Sequence, residues 1–233
     1  MGARQKHTAT MRRALTGKIA VAPRPLVTTL FRGVRAILLV LGLSLAVGCG
    51  GVRGGASGYR LTSIQTRAVL APTLTSGWFH AADENTADLY LTDLSPEALT
   101  SPEALAGATG NIVHVRMLVH PRAGRTPIEA SALSAAVVHV VLAGGQIGVY
   151  EGGGFFRPSG KATDRTFGGS IVGGSMQLGA ATPGFVDRLG TSELSAGVRA
   201  VRDPQRLADI RGALAWSLSV TPRVERPGVD PGS

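Results

Sequence analysis

Apolar and polar residues alternate with a period of two over much of the chain after about residue 60, and this pattern constrains the fold more than any other feature. The clearest example is Asn111–His120, where Val113, Val115, Met117 and Val119 alternate with His114, Arg116, Leu118 and His120. Successive side chains of a β-strand point to opposite faces of its sheet. The alternation therefore predicts a strand in this segment.

Further strands are predicted where the alternation recurs or where a short apolar run lies between turn residues. They fall within 61–70, 72–82, 87–94, 135–145, 146–158, 166–178, 193–202 and 214–220. Paired glycines in 146–158 and 166–178 are typical of bulges or close sheet contacts. No long helical pattern alternates with the strands. We therefore expect a mainly β fold, an antiparallel β-sandwich or flattened barrel of about eight or nine short strands with one to three short helices.

The expected helices begin at Ser/Thr/Asp-Pro pairs, which combine a capping side chain with proline at the first helical position. A short duplication places Ser95-Pro96-Glu97 and Ser101-Pro102-Glu103 at the starts of two single-turn helices or within a short helical loop. Thr182-Pro183 predicts a short helix that ends at Gly190. Asp203-Pro204 predicts another that ends near Gly212, before the strand at 214–220.

An uncharged apolar run lies near the N-terminus, at Ala36–Val47. Its twelve residues would span about 18 Å as a helix, which is too short to cross a bilayer but suits the apolar region of a signal peptide. Small residues, Ala46 and Gly48, then lie three and one positions before Cys49, the only cysteine of the chain. The pattern predicts a signal peptide over 1–48 with cleavage between Gly48 and Cys49.

The charge of the chain divides at the same point. The whole sequence has a formal net charge of +9. Residues 1–48 contain eight basic side chains and no acidic one, which leaves the remainder near neutrality at +1. A basic leader holds an export signal on the cytoplasmic side, whereas nucleic-acid binding needs clustered Lys and Arg in the folded domain. We therefore expect no nucleic-acid partner.

The stretch before Cys49 resembles the lipobox of bacterial lipoproteins, although Ala46 stands where leucine is most common. The resemblance covers about residues 32–50 and implies that Cys49 is diacylated on sulfur and becomes the first mature residue. It also implies a cell-envelope location, with the domain facing the periplasm or exterior. Gly50 in place of aspartate favours the outer membrane if the cell has one. Ordinary secretion after the same cleavage and an uncleaved anchor are the alternatives.

The organisation expected after the signal peptide is a flexible tether over 49–59, one β-rich globular domain over 60–221, and a disordered tail over 222–233. One cysteine can form no disulfide within the chain, so the hydrophobic core alone must stabilise an exported domain of this kind.

Motifs for catalysis are few. The glycine-rich stretch at 152–163 places Phe155 and Ala162 where a phosphate loop needs glycine and Ser or Thr, and neither a Gly-x-Ser-x-Gly elbow nor a Ser-x-x-Lys pair occurs. We expect no cofactor. The remaining hypothesis for an enzyme is a hydrolase with a loop-built site that uses His80, His114 or His139 as the base.

The candidates for binding are oxygen ligands and large aromatic side chains. Asp83, Glu84 and Asp88 could offer carboxylates to a calcium ion, although their spacing lacks the regularity of known calcium loops. Trp78, Phe155 and Phe156 could stack on a sugar or a partner protein if they are exposed. The hypothesis favoured by the sequence is a lipid-anchored envelope protein with a non-catalytic binding or structural domain, whose partners are the membrane and an envelope protein or glycan.

Overall fold

The computed structural model of the chain describes residues 54–119 and 133–225. In these ranges the chain forms nine strands, two α-helices and one 3-10 turn. The strands are β1 (Gly55–Ser63), β2 (Val69–Leu70), β3 (Ser76–Ala81), β4 (Ala87–Thr92), β5 (Thr109–Met117), β6 (Ala135–Ala143), β7 (Ile147–Ser159), β8 (Thr166–Ala181) and β9 (Ser192–Val201). The 3-10 turn is Glu97–Leu99, and the helices are α1 (Pro102–Ala106) and α2 (Pro204–Ser219).

All nine strands belong to one sheet, which closes on itself. Their order is β2-β1-β9-β3-β4-β5-β6-β7-β8, and β8 pairs in turn with β9. The pairings are antiparallel except for a parallel contact between Trp78 of β3 and Val201 of β9. The predicted mainly β, antiparallel fold is confirmed, and closure through β8 and β9 gives it the form of a flattened barrel.

The inward-facing side chains of the strands form the larger of two hydrophobic cores. Alternate residues such as Leu89, Val113, Val115 and Val137 are fully or almost fully buried inside the closed sheet. The largest inward side chains are aromatic, and the ring of Phe167 lies 5.7 Å from that of Phe79 and 6.2 Å from that of Phe156. The alternation therefore also identifies residues of this core, with the exception of Val119, which lies beyond the end of β5 and is 47% exposed.

The second core lies on the outer face of the sheet, beneath α2. Asp203 caps the helix by accepting hydrogen bonds from the backbone N–H groups of Gln205 and Arg206. Leu207, Ile210 and Leu214 then recur at helical spacing and are buried. They pack with outward-facing apolar side chains of β4, β5, β6 and β7. The sheet is thus buried on both faces in this region.

Two predictions for the C-terminal third are wrong. The helix predicted to start at Thr182-Pro183 is an irregular loop, in which Gly184 has a φ of +90° and the Thr182 side chain binds the backbone of Ile147. The strand predicted at 214–220 is the second half of α2, which continues past Gly212. Ala213, Leu214 and Ser217 are buried on one face of the helix, so the alternating pattern there is coincidental.

Three boundaries also differ. Strand β1 begins at Gly55, inside the range predicted as a tether, and Tyr59 is buried. The predicted tail joins the domain at its start, because Pro222 and Val224 form backbone hydrogen bonds with β8. Residues 61–70 form parts of two strands separated by a turn rather than one strand.

The predicted signal peptide, Cys49 and residues 226–233 lie outside the described residues. Among the described helices, none is long and apolar enough to span a bilayer.

Candidate functional site

A groove of about 960 Å³ lies on the outer side of the sheet, where β1, β7, β8 and β9 are adjacent. Two rows of paired residues cross these four strands and line it. The first row is Arg157, Ser170, Gly197 and Ser57, and the second is Ser159, Gly168, Arg199 and Gly55. The segment at Leu74 and Thr75 and the β7–β8 turn border the rows.

The groove is lined mainly by small side chains because the strands approach each other too closely for larger ones. A Cβ atom on Gly168 would clash with the carbonyl of Val198, and one on Gly197 would contact the hydroxyl of Ser57. Gly168, one of the paired glycines of β8, is thus a site of close sheet contact, which is one of the two roles that the sequence predicted for these pairs. Because glycines carry no side chain, backbone atoms form part of the floor of the groove, where a ligand can contact them.

Arg157 and Arg199 are the two basic residues that line this groove. Both are exposed, whereas their neighbours Phe156 and Val198 point into the core. Neither guanidinium forms an ion pair or a side-chain hydrogen bond with a described residue. Asp164 is the acidic residue of the lining, and its carboxylate accepts a hydrogen bond from the backbone N–H of Lys161.

A second polar feature is a hydrogen-bonded chain buried inside the closed sheet. The Tyr59 hydroxyl lies 3.1 Å from His139 Nδ1, and His139 Nε2 lies 3.0 Å from Asn111 Oδ1. Asn111 Nδ2 then lies 2.7 Å from Asp93 Oδ2, and the Asn111 backbone N–H donates to the other oxygen of the same carboxylate. Asp93 lines a separate depression of about 530 Å³.

The direction of each hydrogen bond follows from Asp93, because a carboxylate can only accept. Asn111 must donate to it through Nδ2, so Asn111 Oδ1 accepts from the Nε2–H of His139. The other ring nitrogen of His139, Nδ1, is then unprotonated and accepts from Tyr59. The chain therefore fixes one neutral tautomer of His139.

Burial keeps this chain uncharged at its centre. His139 is completely buried, and the loss of hydration lowers its pKa to about 3. Burial likewise raises the pKa of Tyr59 far above its ordinary value. A general base must titrate near the working pH and reach a substrate. His139 meets neither condition. We therefore assign the hydrogen-bonded chain a structural role, which is to connect strands on opposite sides of the core.

A third polar cluster lies on the outer face. His114 Nε2 is 2.8 Å from Asp88 Oδ1, and the His114 ring stacks on Tyr90 with centroids 4.4 Å apart. The hydrogen bond from His114, followed by the nearby charges of His114, Arg116 and Arg211, lowers the pKa of Asp88 despite partial burial. Among the described residues this is the one histidine–carboxylate contact at ion-pair distance.

The candidate calcium ligands do not converge. Asp83 closes the β3–β4 turn by accepting hydrogen bonds from the backbone N–H groups of Asn85 and Thr86, which lower its pKa. Asp88 faces His114 instead, and Glu84 is exposed in the turn. No group of three or more His, Cys, Asp or Glu side chains in 54–119 and 133–225 is placed to hold a metal ion.

The aromatic candidates are not an exposed patch. Phe156 has no exposed surface and packs in the inner core. Trp78 is half-buried against the core beneath α2. Phe155 points away from Phe156 and is half-buried. Stacking on a ligand through Phe156 is therefore excluded, and the other two aromatics lie on different parts of the surface.

A hydrolase with a serine, histidine and carboxylate triad needs a histidine that contacts both other groups. His114 contacts a carboxylate without a serine, and His139 contacts Tyr59 and Asn111. His80 forms no side-chain hydrogen bond with any described residue. The geometry that would favour the loop-built hydrolase is therefore not found in the part of the chain that the structure describes.

Comparison with protein-family models, with curated proteins and with solved structures finds no match.

Sequence reasoning missed the two arginines of the groove and the chain through His139. The arginines carry no motif, because they are brought together by strand register across β7, β8 and β9. Asn111 and His139 also have no recognisable spacing. One signal was present: His139 is two residues from both Val137 and Val141, so the three side chains share one face of the strand.

Proposed function

We propose that the protein is an exported, lipid-anchored component of the cell envelope whose β-domain binds a ligand or partner without catalysis. The observation that carries this proposal is the solvent-open groove lined by two arginines without acidic partners among the described residues. Its lining offers guanidinium and hydroxyl groups for hydrogen bonding and no histidine. Such a lining suits recognition better than proton transfer.

The anchoring part of the proposal rests on the sequence around Cys49. The twelve-residue apolar run, the small residues before Cys49 and the basic leader are together typical of a lipoprotein signal. One acyl chain binds membranes only marginally, whereas two give stable attachment. Diacylation of Cys49 would therefore hold the domain at a membrane surface.

The test is fatty-acid labelling of the full chain expressed in bacteria, followed by mass analysis of its N-terminal peptide. We expect the wild type and the control Gly51→Ser to start at a diacylated Cys49 and to sediment with membranes. Cys49→Ser should lose the label and accumulate as the unprocessed chain. An unmodified Cys49 in a processed wild-type chain would show ordinary secretion instead and overturn the anchor.

The non-catalytic part is tested by screening the purified protein against ester, phosphoester and glycoside substrates. We expect no turnover that depends on His80, His114 or His139. Activity that disappears in His114→Gln, with the fold retained, would favour the hydrolase hypothesis.

A further inference from the structure

The groove lies in a basic region of the domain. Over the described residues, 12 Lys and Arg side chains are balanced by 13 Asp and Glu. Around the groove, on the β7–β8 turn and the end of β9, the balance is different: the basic residues there are Arg157, Lys161, Arg165, Arg199 and Arg202, and the acidic ones are Asp164 and Asp203. A ligand of negative charge is therefore favoured at this surface.

Two of these arginines are positioned to act on one ligand. Arg157 and Arg199 lie on either side of strand β8 and are offset by two residues along it, so their Cα atoms lie about 12 Å apart. Arg202, by contrast, donates to the carbonyl of Ala162 and lies 4.9 Å over the Phe79 ring. Each free guanidinium can bind a phosphate oxygen pair in a bidentate manner.

The residues between the arginines complete an oxyanion site. Gly168 and Gly197 add no side chain of their own to the floor, where backbone of β9 lies against Gly168 and the Ser57 hydroxyl lies over Gly197, within reach of a phosphate group in the groove. Ser57, Ser159 and Ser170 share the outward rows and can donate to oxygens that the arginines do not reach. Asp164, at the rim, disfavours anions that extend toward the β7–β8 turn.

The position of the groove in the chain indicates where such an anion comes from. Gly54 is part of the groove lining and lies five residues after Cys49. Five residues span at most about 18 Å when fully extended. A domain attached to a bilayer at Cys49 therefore keeps this groove close to the headgroup layer, which is about 5–8 Å thick on each side.

We propose that the groove binds the phosphate of an anionic phospholipid headgroup in the membrane that holds Cys49, and that this contact orients the domain on the membrane surface. The proposal rests on the lipid anchor proposed above. Two signals, acyl chains at Cys49 and headgroup binding at Arg157 and Arg199, act on the same face of the domain.

The test uses a chain that starts at residue 50 and carries no lipid. Every described strand and both cores come from 54–225, so this chain contains the complete domain. Its sedimentation is measured with vesicles of pure phosphatidylcholine and with vesicles that contain 30% phosphatidylglycerol. The variant R157Q/R199Q is compared with the control R67Q/R188Q, which removes two exposed charges outside the groove, and thermal melting checks the fold of each.

We expect the wild type to prefer the anionic vesicles. R157Q/R199Q should weaken that binding roughly 10- to 30-fold, since each basic side chain near an anionic surface contributes about 1 kcal/mol. The control should change it less than threefold, and added salt should weaken binding of the wild type. Equal losses in the two variants would overturn the groove as the site.

A parallel titration with glycerol phosphate, followed by amide chemical shifts, separates the possible sources. Shifts at the groove together with no preference for anionic vesicles would overturn the membrane source in favour of a soluble phosphate ligand. No binding in either experiment would overturn the groove as a phosphate site. Because this chain lacks the lipid, these outcomes are independent of whether Cys49 is acylated.

Discussion

His114 and His139 lie on neighbouring strands and on opposite faces of the sheet. In the pairing of β5 with β6, His114 is opposite Val138 and His139 is opposite Val113. The two histidines are therefore offset by one residue, and their side chains point to opposite faces. Each ring is hydrogen-bonded toward an acidic side chain, His114 directly to Asp88 and His139 through Asn111. The outer side chain is 18% exposed, whereas His139 is fully buried.

The difference shows how burial changes what the same residue type contributes. The outer pair remains in contact with water, which screens its charges and limits its contribution to about 0–1 kcal/mol. The inner histidine cannot ionise without a large loss of hydration, and its partners have no water to replace it. We therefore expect stability to depend on the inner chain and to be nearly insensitive to the outer pair.

The largest expected effect comes from truncating each ring in turn. His139→Ala leaves the Tyr59 hydroxyl and the Asn111 carbonyl without their partner and opens a cavity in the core, and we expect a loss of about 4 kcal/mol in the free energy of unfolding. His114→Ala is the matched change outside and should lose about 1 kcal/mol. Urea denaturation of both variants measures the difference, and equal losses would contradict the comparison.

A change of pH should affect stability through the inner histidine, His139. The pKa of His139 is lowered to about 3 in the folded protein, from an ordinary value near 6.5 in the unfolded chain. Between these two pKa values the unfolded chain binds one more proton than the folded chain. The contribution of neutral His139 to the free energy of unfolding is therefore present above pH 6.5 and is lost as the pH is lowered toward 3. From pH 6.5 to 4.5 we expect a loss of about 2–3 kcal/mol.

His139→Gln is the control for this pH dependence. A glutamine amide can donate to Asn111 and accept from Tyr59, but it does not titrate. The variant should therefore show a flatter dependence of unfolding free energy on pH between 4.5 and 6.5. An unchanged slope would assign the dependence to other groups.

The inner and outer faces also differ in how well the sequence predicted them. Alternation assigned Val113, Val115 and Met117 to a buried face correctly, because a period of two is a local property of a strand. The same alternation over 214–220 was misleading, because burial beneath the sheet selects one face of α2 and overrides the pattern. Local periodicity predicts an element only where its packing has the same period.

Side-chain partnerships were less predictable because they depend on strand register. Asp93 and Asn111 are brought together by the β4–β5 pairing, and Arg157 and Arg199 by the order of β7, β8 and β9. The loop after Thr182 is a similar case. Its Asp187 accepts hydrogen bonds from the Tyr150 hydroxyl and from two backbone N–H groups, and these contacts replace the predicted helix.

A smaller effect is expected from removing one hydroxyl on each face. Tyr59→Phe leaves Nδ1 of His139 as a buried acceptor without a donor, and we expect a loss of about 1–2 kcal/mol. Tyr90→Phe is the matched control, since the Tyr90 hydroxyl has no hydrogen-bond partner among the described residues. It should change the free energy of unfolding by less than about 0.5 kcal/mol. Thermal and urea unfolding of the two variants measure the difference in their free energies of unfolding. A larger loss from Tyr90→Phe than from Tyr59→Phe would contradict the expectation.

The smallest expected effect concerns the charge of Asp88. Its pKa is lowered in the folded protein by the hydrogen bond from His114, so its stabilising effect is present above the unfolded value and is lost as the pH falls through the folded one. Asp88→Asn should cost about 0.5–1 kcal/mol at pH 7 and low salt, and less in 1 M NaCl, because exposed charges are screened. Glu193→Gln, which removes an exposed carboxylate on β9, is the control and should have no measurable effect.

The loss from His139→Ala should be the same at both salt concentrations, because it comes from burial and not from charge. A salt-sensitive loss at His139 would show that water reaches the inner chain and would remove the basis of the contrast between the two faces.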